Sequence, residues 1–217
     1  MFDLYLITDP DTHGGVVQAV REALRELPQG RVAVQLRAKT ASNATLLGLA
    51  RELRAVTRDA QVPLLINSSL EVADAVAADG VHLPEQGPSV ASARALLGPR
   101  VLVGVSCHDV DGLLRASREA ASFVTLGPVL EVPGKGTPLG WARFAQLAAS
   151  ARLPAFALGG LGPAHAQAAC AAGAYGLAVI RSVFAAPDRS RAVHDCLRAL
   201  DQARRLAVDT GDPVPEP

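Results

Sequence analysis

Short apolar runs, each followed by an amphipathic stretch, set the pattern of this chain. The runs are strand-length and rich in β-branched residues: 3–8, 31–36, 63–66, 80–83, 101–105, 122–126, 154–158 and 175–180. Between them, apolar residues recur at helical spacing near 15–27, 42–58, 70–78, 89–97, 109–120, 141–150, 163–172 and 183–207. Ser42, Ser69 and Asp109 stand where N-caps belong, Pro163 suits a first helical turn, and Gly98 and Gly173 read as helix stops. Continuously apolar strands alternating with helices predict a parallel sheet covered on both faces. Eight repeats predict a closed (β/α)8 barrel, an α/β fold, with an open doubly wound sheet as the alternative. The open sheet would carry a glycine-rich turn after its first strand, whereas Asp9-Pro10-Asp11 occupies that turn. Residues 1–207 are expected to form one domain, and 208–217 a frayed tail.

Composition narrows the function classes. Apolar residues make up 49% of 217, and 21 basic residues balance 21 acidic ones. No run reaches bilayer length and no basic patch stands out, so neither a membrane nor a nucleic acid is an expected partner. Residues 1–10 lack the basic stretch of a secretory signal, and three scattered cysteines suit neither a disulfide framework nor a zinc site. A reducing, cytoplasmic compartment is expected. All 21 basic residues are arginine except Lys39 and Lys135. An arginine-biased chain should keep lysine where a compact ammonium is needed, which makes these two candidates for chemistry.

In a barrel, the strand C-terminal ends form the functional face. Both lysines fall there. Gln35, Arg37 and Lys39 alternate, so the period of two puts them on one face. Lys135 lies in the longest loop, 127–140, rich in Gly and Pro. Together these cations predict a site for a phosphate or pyrophosphate, unless Glu85 and Glu131 neutralise them. Gly159-Gly160 after the seventh strand and Ile180-Arg181-Ser182 after the eighth predict a backbone phosphate cup, with Arg181 at its rim. An ordinary strand-to-helix turn would also explain the glycine pair.

The runs LYLITD (4–9), VQLRAK (34–39), LLIN (64–67), ADGVHL (78–83), VGVS (103–106), GPVL…K (127–135), ALGG (157–160) and GLAVI (176–180) resemble the thiamine-phosphate synthase superfamily. The resemblance implies a barrel that binds a small phosphorylated substrate; a homo-oligomer stays open. Its synthase joins a hydroxymethylpyrimidine pyrophosphate to a thiazole phosphate with magnesium. Its TenI-type branch, a thiazole tautomerase, moves a proton to aromatise a thiazole phosphate carboxylate. By resemblance, Gln35, Arg37, Lys39, Asn67, Ser106 and Lys135 bind substrate or pyrophosphate, and Gly159, Gly160, Ile180 and Arg181 bind phosphate.

The departures from that pattern are specific. The two carboxylates that would hold magnesium are replaced by Ser68 and Gly87, so no metal ligand is expected unless Glu85 substitutes. Val132 and Gly134 stand where the synthase loop carries hydroxyl residues. HLPEQGPS (82–89) and VSCHD (105–109) resemble the tautomerase branch, but its proton-shuttling histidine is replaced by Pro128. His108, past the fifth strand, is the replacement candidate, and Lys135 the other catalytic candidate. His82 reads as a packed barrel histidine, His13, His165 and His194 as structural, and Cys107 as no nucleophile. The expected function is therefore TenI-like proton transfer. A magnesium-dependent synthase is the alternative, and a phosphate-binding barrel without catalysis the third reading.

Overall fold

A computed structural model describes residues 1–210. Eight parallel strands close a barrel in chain order: β1 (Leu4–Ile7), β2 (Val32–Leu36), β3 (Leu64–Asn67), β4 (Gly80–Leu83), β5 (Leu102–Cys107), β6 (Phe123–Leu126), β7 (Ala155–Leu158) and β8 (Gly176–Val179), with β8 pairing back to β1. The helices surround it: α1 (Val16–Ala23), α2 (Asn43–Asp59), α3 (Leu70–Ala75), α4 (Val90–Leu97), α5 (Val110–Arg118), α6 (Gly140–Ser150), α7 (Ala166–Ala171), α8 (Arg181–Phe184) and α9 (Arg189–Thr210). The predicted (β/α)8 barrel is the observed fold. Ser42, Ser69 and Asp109 each accept a backbone N–H at the start of α2, α3 and α5, as their positions foretold.

The first and third helices end short of the expected 27 and 78, at Ala23 and Ala75, and three further differences concern the C-terminal half. The helix expected over 183–207 is two helices, because Pro187 cannot donate to a continuing ladder and Asp188 restarts it by accepting the Arg191 N–H. The stretch after Gly162 opens as a 3-10 turn, Pro163–His165, before α7. Residues 208–210 continue α9, so the expected tail does not start at 208; residues 211–217 lie outside the described residues.

Alternation along the strands separates two cores. Leu4 and Leu6 face the helices, while Tyr5 and Ile7 face the barrel interior. The floor is aromatic: Phe2, Tyr5, Phe123, Phe156 and Tyr175 pack with ring centroids 5.0–6.3 Å apart. Gly104 makes room for them, since a Cβ there would lie 2.4 Å from Phe123 Cζ and 2.6 Å from His82 Nδ1. Under the floor, Asp3 pairs with Arg31 and, at 2.7 Å, with Arg204, whose guanidinium lies over the Tyr175 ring. Arg31 also reaches Asp201 at 2.7 Å, tying α9 to the strand origins. The open end, at the strand C-termini, is thus left for ligands. Among the described residues no helix is long and apolar enough to cross a membrane.

Candidate active site

A cavity of about 1350 Å³ opens at the strand C-terminal ends. Gln35, Arg37, Lys39, Asn67, Ser106, His108, Lys135, Gly159, Gly160, Ile180 and Arg181, the residues singled out from sequence, all line it. Loop 127–139 begins alongside the end of β7, with Val129 N–H donating to Leu158 O at 2.8 Å, and brings Lys135 near enough to Lys39, past the end of β2, to act on its charge. Thr8 Oγ1 accepts the Arg37 N–H at 2.9 Å and fixes the end of β2.

The cations are not neutralised by the protein. Among the described residues Arg37, Lys39 and Lys135 form no ion pair, and neither Glu85 nor Glu131 reaches them. The Lys39 ammonium is held below the usual lysine range, first by the Arg37 guanidinium, then by burial and by Lys135. Three mutually repelling charges around one cavity favour a polyanionic ligand.

Glu85 is engaged elsewhere. It bonds His108 Nδ1 at 2.6 Å and Arg115 at 3.5 Å, and its Oε1 lies where a Cβ on Gly112 would be, against the start of α5. The His108 ring is 59% exposed at the cavity rim. Cys107 points into the core, and burial, with Glu85 nearby, pushes its thiol up to about 12, so it is inert.

The residues present do not fit a magnesium ion. It takes several oxygen ligands, carboxylates foremost. Ser68 Oγ is taken by Asn67 Nδ2 at 2.9 Å, and any Cβ on Gly87 would lie 2.8 Å from the Pro84 ring. The carboxylates lining the cavity, Asp9, Glu71 and Glu85, are held by Asp11 N–H, by Ser69 Oγ and by His108 with Arg115. Among the described residues no three acidic, histidine or cysteine side chains cluster as a metal site.

The candidate cup lies at the opposite wall. Gly159 and Gly160 have φ of +108° and +70°, and the N–H groups of Gly160, Arg181 and Ser182 have no protein acceptor among the described residues. The glycines also answer to packing: a Cβ on Gly159 would lie 2.6 Å from Pro128 Cα. Among the described residues Ser182 Oγ is buried beside this cup without a partner; the sequence placed the Ser182 backbone in the cup and gave no signal for this hydroxyl.

Beneath the cavity lies a polar chain the sequence did not reveal: Gln35, Tyr5, His82, Ser106 and Thr125. His82 is packed in the barrel, as expected, but it also touches the cavity. Burial, reinforced by Arg37, lowers its pKa to about 3. This fixes a pH dependence. Between about pH 6.5 and 3 the unfolded chain takes up a proton at His82 and the folded chain does not. Stability is therefore full above pH 6.5 and falls on acidification by about 1.4 kcal/mol per pH unit. Denaturant titrations at pH 7.5 and 5 should differ by about 2 kcal/mol more in the unsubstituted protein than in His82→Gln.

Comparison with known proteins now decides the family. Residues 4–183 match the family described as "Thiamine monophosphate synthase". The chain belongs to the thiamine-phosphate synthase family. A thiamine-phosphate synthase from Chloroflexus aurantiacus is 38% identical over 201 residues, covering 91% of each chain. One from a Roseiflexus species is 36% identical over 211 residues, covering 93% of this chain and 88% of its own. The structure titled thiamine phosphate pyrophosphorylase from Pyrococcus furiosus superposes with a TM-score of 0.82 at 27% identity, covering 93% and 96% of the two chains. The family match does not separate the synthase and TenI branches. The relatives carry the synthase name, so the reading placed first from sequence, proton transfer, is the less supported of the two.

Proposed function

We propose that this chain is a thiamine-phosphate synthase, joining a hydroxymethylpyrimidine pyrophosphate to a thiazole phosphate. The observation that carries the reading is the unpaired set Arg37, Lys39 and Lys135 facing the phosphate cup across one cavity. The cations hold the pyrophosphate, aided by Asn67 and Ser106, and the cup of Gly159, Gly160, Ile180 and Arg181 holds the thiazole phosphate. The pyrimidine methylene–oxygen bond breaks, its electron pair leaves with pyrophosphate, and the thiazole nitrogen closes on the carbon. Charge grows on the leaving oxygens, where fixed cations stabilise it most.

The deciding experiment incubates the protein with both synthase substrates, and separately with the thiazole phosphate tautomer alone. Formation of thiamine phosphate and pyrophosphate in the first, with no ring isomerisation in the second, is expected. Because the described carboxylates lining the cavity are engaged elsewhere, magnesium should change the affinity for inorganic pyrophosphate by less than about threefold, by calorimetry. A larger gain would mean that Glu85 or Asp9 is recruited.

One observation favours proton transfer as a second reading: the 2.6 Å contact between His108 and Glu85 at the rim. It gives the His108 ring a fixed partner at Nδ1. His108→Ala separates the readings. A synthase should keep its turnover within about threefold, because pyrophosphate departure needs cations rather than a base, whereas a proton shuttle would lose about 100-fold.

A further inference from the structure

The buried polar chain below the cavity has no step in the reaction proposed above, yet its hydrogen bonds have a direction. Gln35 Nε2 donates to Tyr5 Oη at 3.0 Å. That bond occupies a lone pair on the phenol and leaves its proton for His82 Nδ1, 3.4 Å away. A neutral imidazole carries one N–H. With Nδ1 accepting, the proton is on Nε2, which faces Ser106 Oγ at 3.0 Å. Thr125 Oγ1 donates to the same serine oxygen at 3.5 Å. Ser106 therefore receives bonds from below, and its own proton is left for the cavity it lines.

We propose that His82 is a positioning residue that fixes Ser106 as a hydrogen-bond donor to the anionic ligand. Tyr5 and Gln35 set the tautomer, and the Ser106 hydroxyl presents it at the cavity. The opposite tautomer would reverse both His82 bonds. Nδ1–H would donate to Tyr5, Ser106 would give its proton to Nε2, and the cavity would meet a lone pair that repels anions. The unpaired cations of the same cavity agree with the first arrangement, because the ligand they attract is an acceptor. Tyr5, Gln35, His82 and Thr125 are at most 3% exposed, so water does not compete for these bonds. The inference rests on the diphosphate reading only for the identity of the ligand.

Nitrogen-15 NMR of the unsubstituted protein at pH 7 reads the tautomer directly, and inorganic pyrophosphate titrated by calorimetry reads its effect. Glutamine at position 82 restores an N–H near the Nε2 position, and asparagine only near Nδ1. The Nε2–H tautomer is expected, with His82→Gln within about threefold of the unsubstituted affinity. His82→Asn and Ser106→Ala should each weaken pyrophosphate about 10-fold, and the double variant no further, because both remove one bond. An Nδ1–H tautomer, equal losses in His82→Gln and His82→Asn, or additive losses in the double variant would overturn the proposal. Thermal unfolding confirms that each variant is folded, and should a variant unfold, the tautomer of the unsubstituted protein decides. A protein with the expected tautomer and coupling that forms no thiamine phosphate sinks the synthase reading and keeps the positioning role. The reversed tautomer in an active synthase does the opposite.

Discussion

Replacing Lys135 by alanine will weaken the binding of inorganic pyrophosphate by about 10- to 100-fold and leave the thermal midpoint unchanged or slightly raised. Both halves follow from one fact: the ammonium has no acidic partner among the described residues and has Lys39, itself beside Arg37, as a neighbour. Without ligand the three charges only repel, so removing one relieves strain. With ligand they become charge-assisted donors to the phosphate oxygens. Lys39→Ala should behave alike, and Lys135→Arg should not rescue fully, because a planar guanidinium is seated differently from a compact ammonium. Calorimetric titration at two salt concentrations checks the origin of the loss: the difference between unsubstituted and variant protein should shrink as salt screens the exposed charges. A large drop in midpoint with unchanged affinity would show that Lys135 serves the fold.

The second large effect is on stability. Gly159→Ala should cost about 2–4 kcal/mol, lowering the midpoint by about 6–12 °C in a chain of this size. The residue sits at φ +108°, where side chains are strained, and its Cβ would lie 2.6 Å from the Cα of Pro128, which is backbone and cannot rotate away. The loop must then move, and it is the loop that delivers Lys135. Pyrophosphate affinity should fall together with stability. Gly14→Ala is the control: its φ is +82°, but nothing lies within 4 Å of the added carbon, so only the backbone strain of about 1 kcal/mol remains. Equal midpoints for the two variants would show that the contact with Pro128 carries no weight.

The barrel was legible because each strand is buried on both faces and each helix on one, so the alternation is written in composition. The three caps were legible because Ser42, Ser69 and Asp109 act on residues three positions on. The cationic wall could be read for the same local reason, from the alternation of Gln35, Arg37 and Lys39. The break at Pro187 could have been read and was not, because the alanine-rich stretch around it keeps helical spacing. Contacts between distant positions were out of reach. Tyr5 and His82 are 77 residues apart, His108 and Glu85 23 apart, and no periodicity pairs them. Nor does a sequence tell whether a lysine is neutralised, which is why the lack of an acidic partner for Lys39 and Lys135 among the described residues emerged only from the structure.

The aromatic floor has a kinetic meaning. Phe2, Tyr5, Phe123, Phe156 and Tyr175 fill the barrel below Gln35 and His82, so nothing passes through that end. Traffic is confined to the mouth, so on the proposed synthase reading both substrates enter and both products leave by one opening. A thiazole phosphate seated early in the cup then obstructs the way of the pyrimidine pyrophosphate to Gln35 and Ser106. Rate against concentration of the thiazole phosphate should therefore rise, pass a maximum and decline.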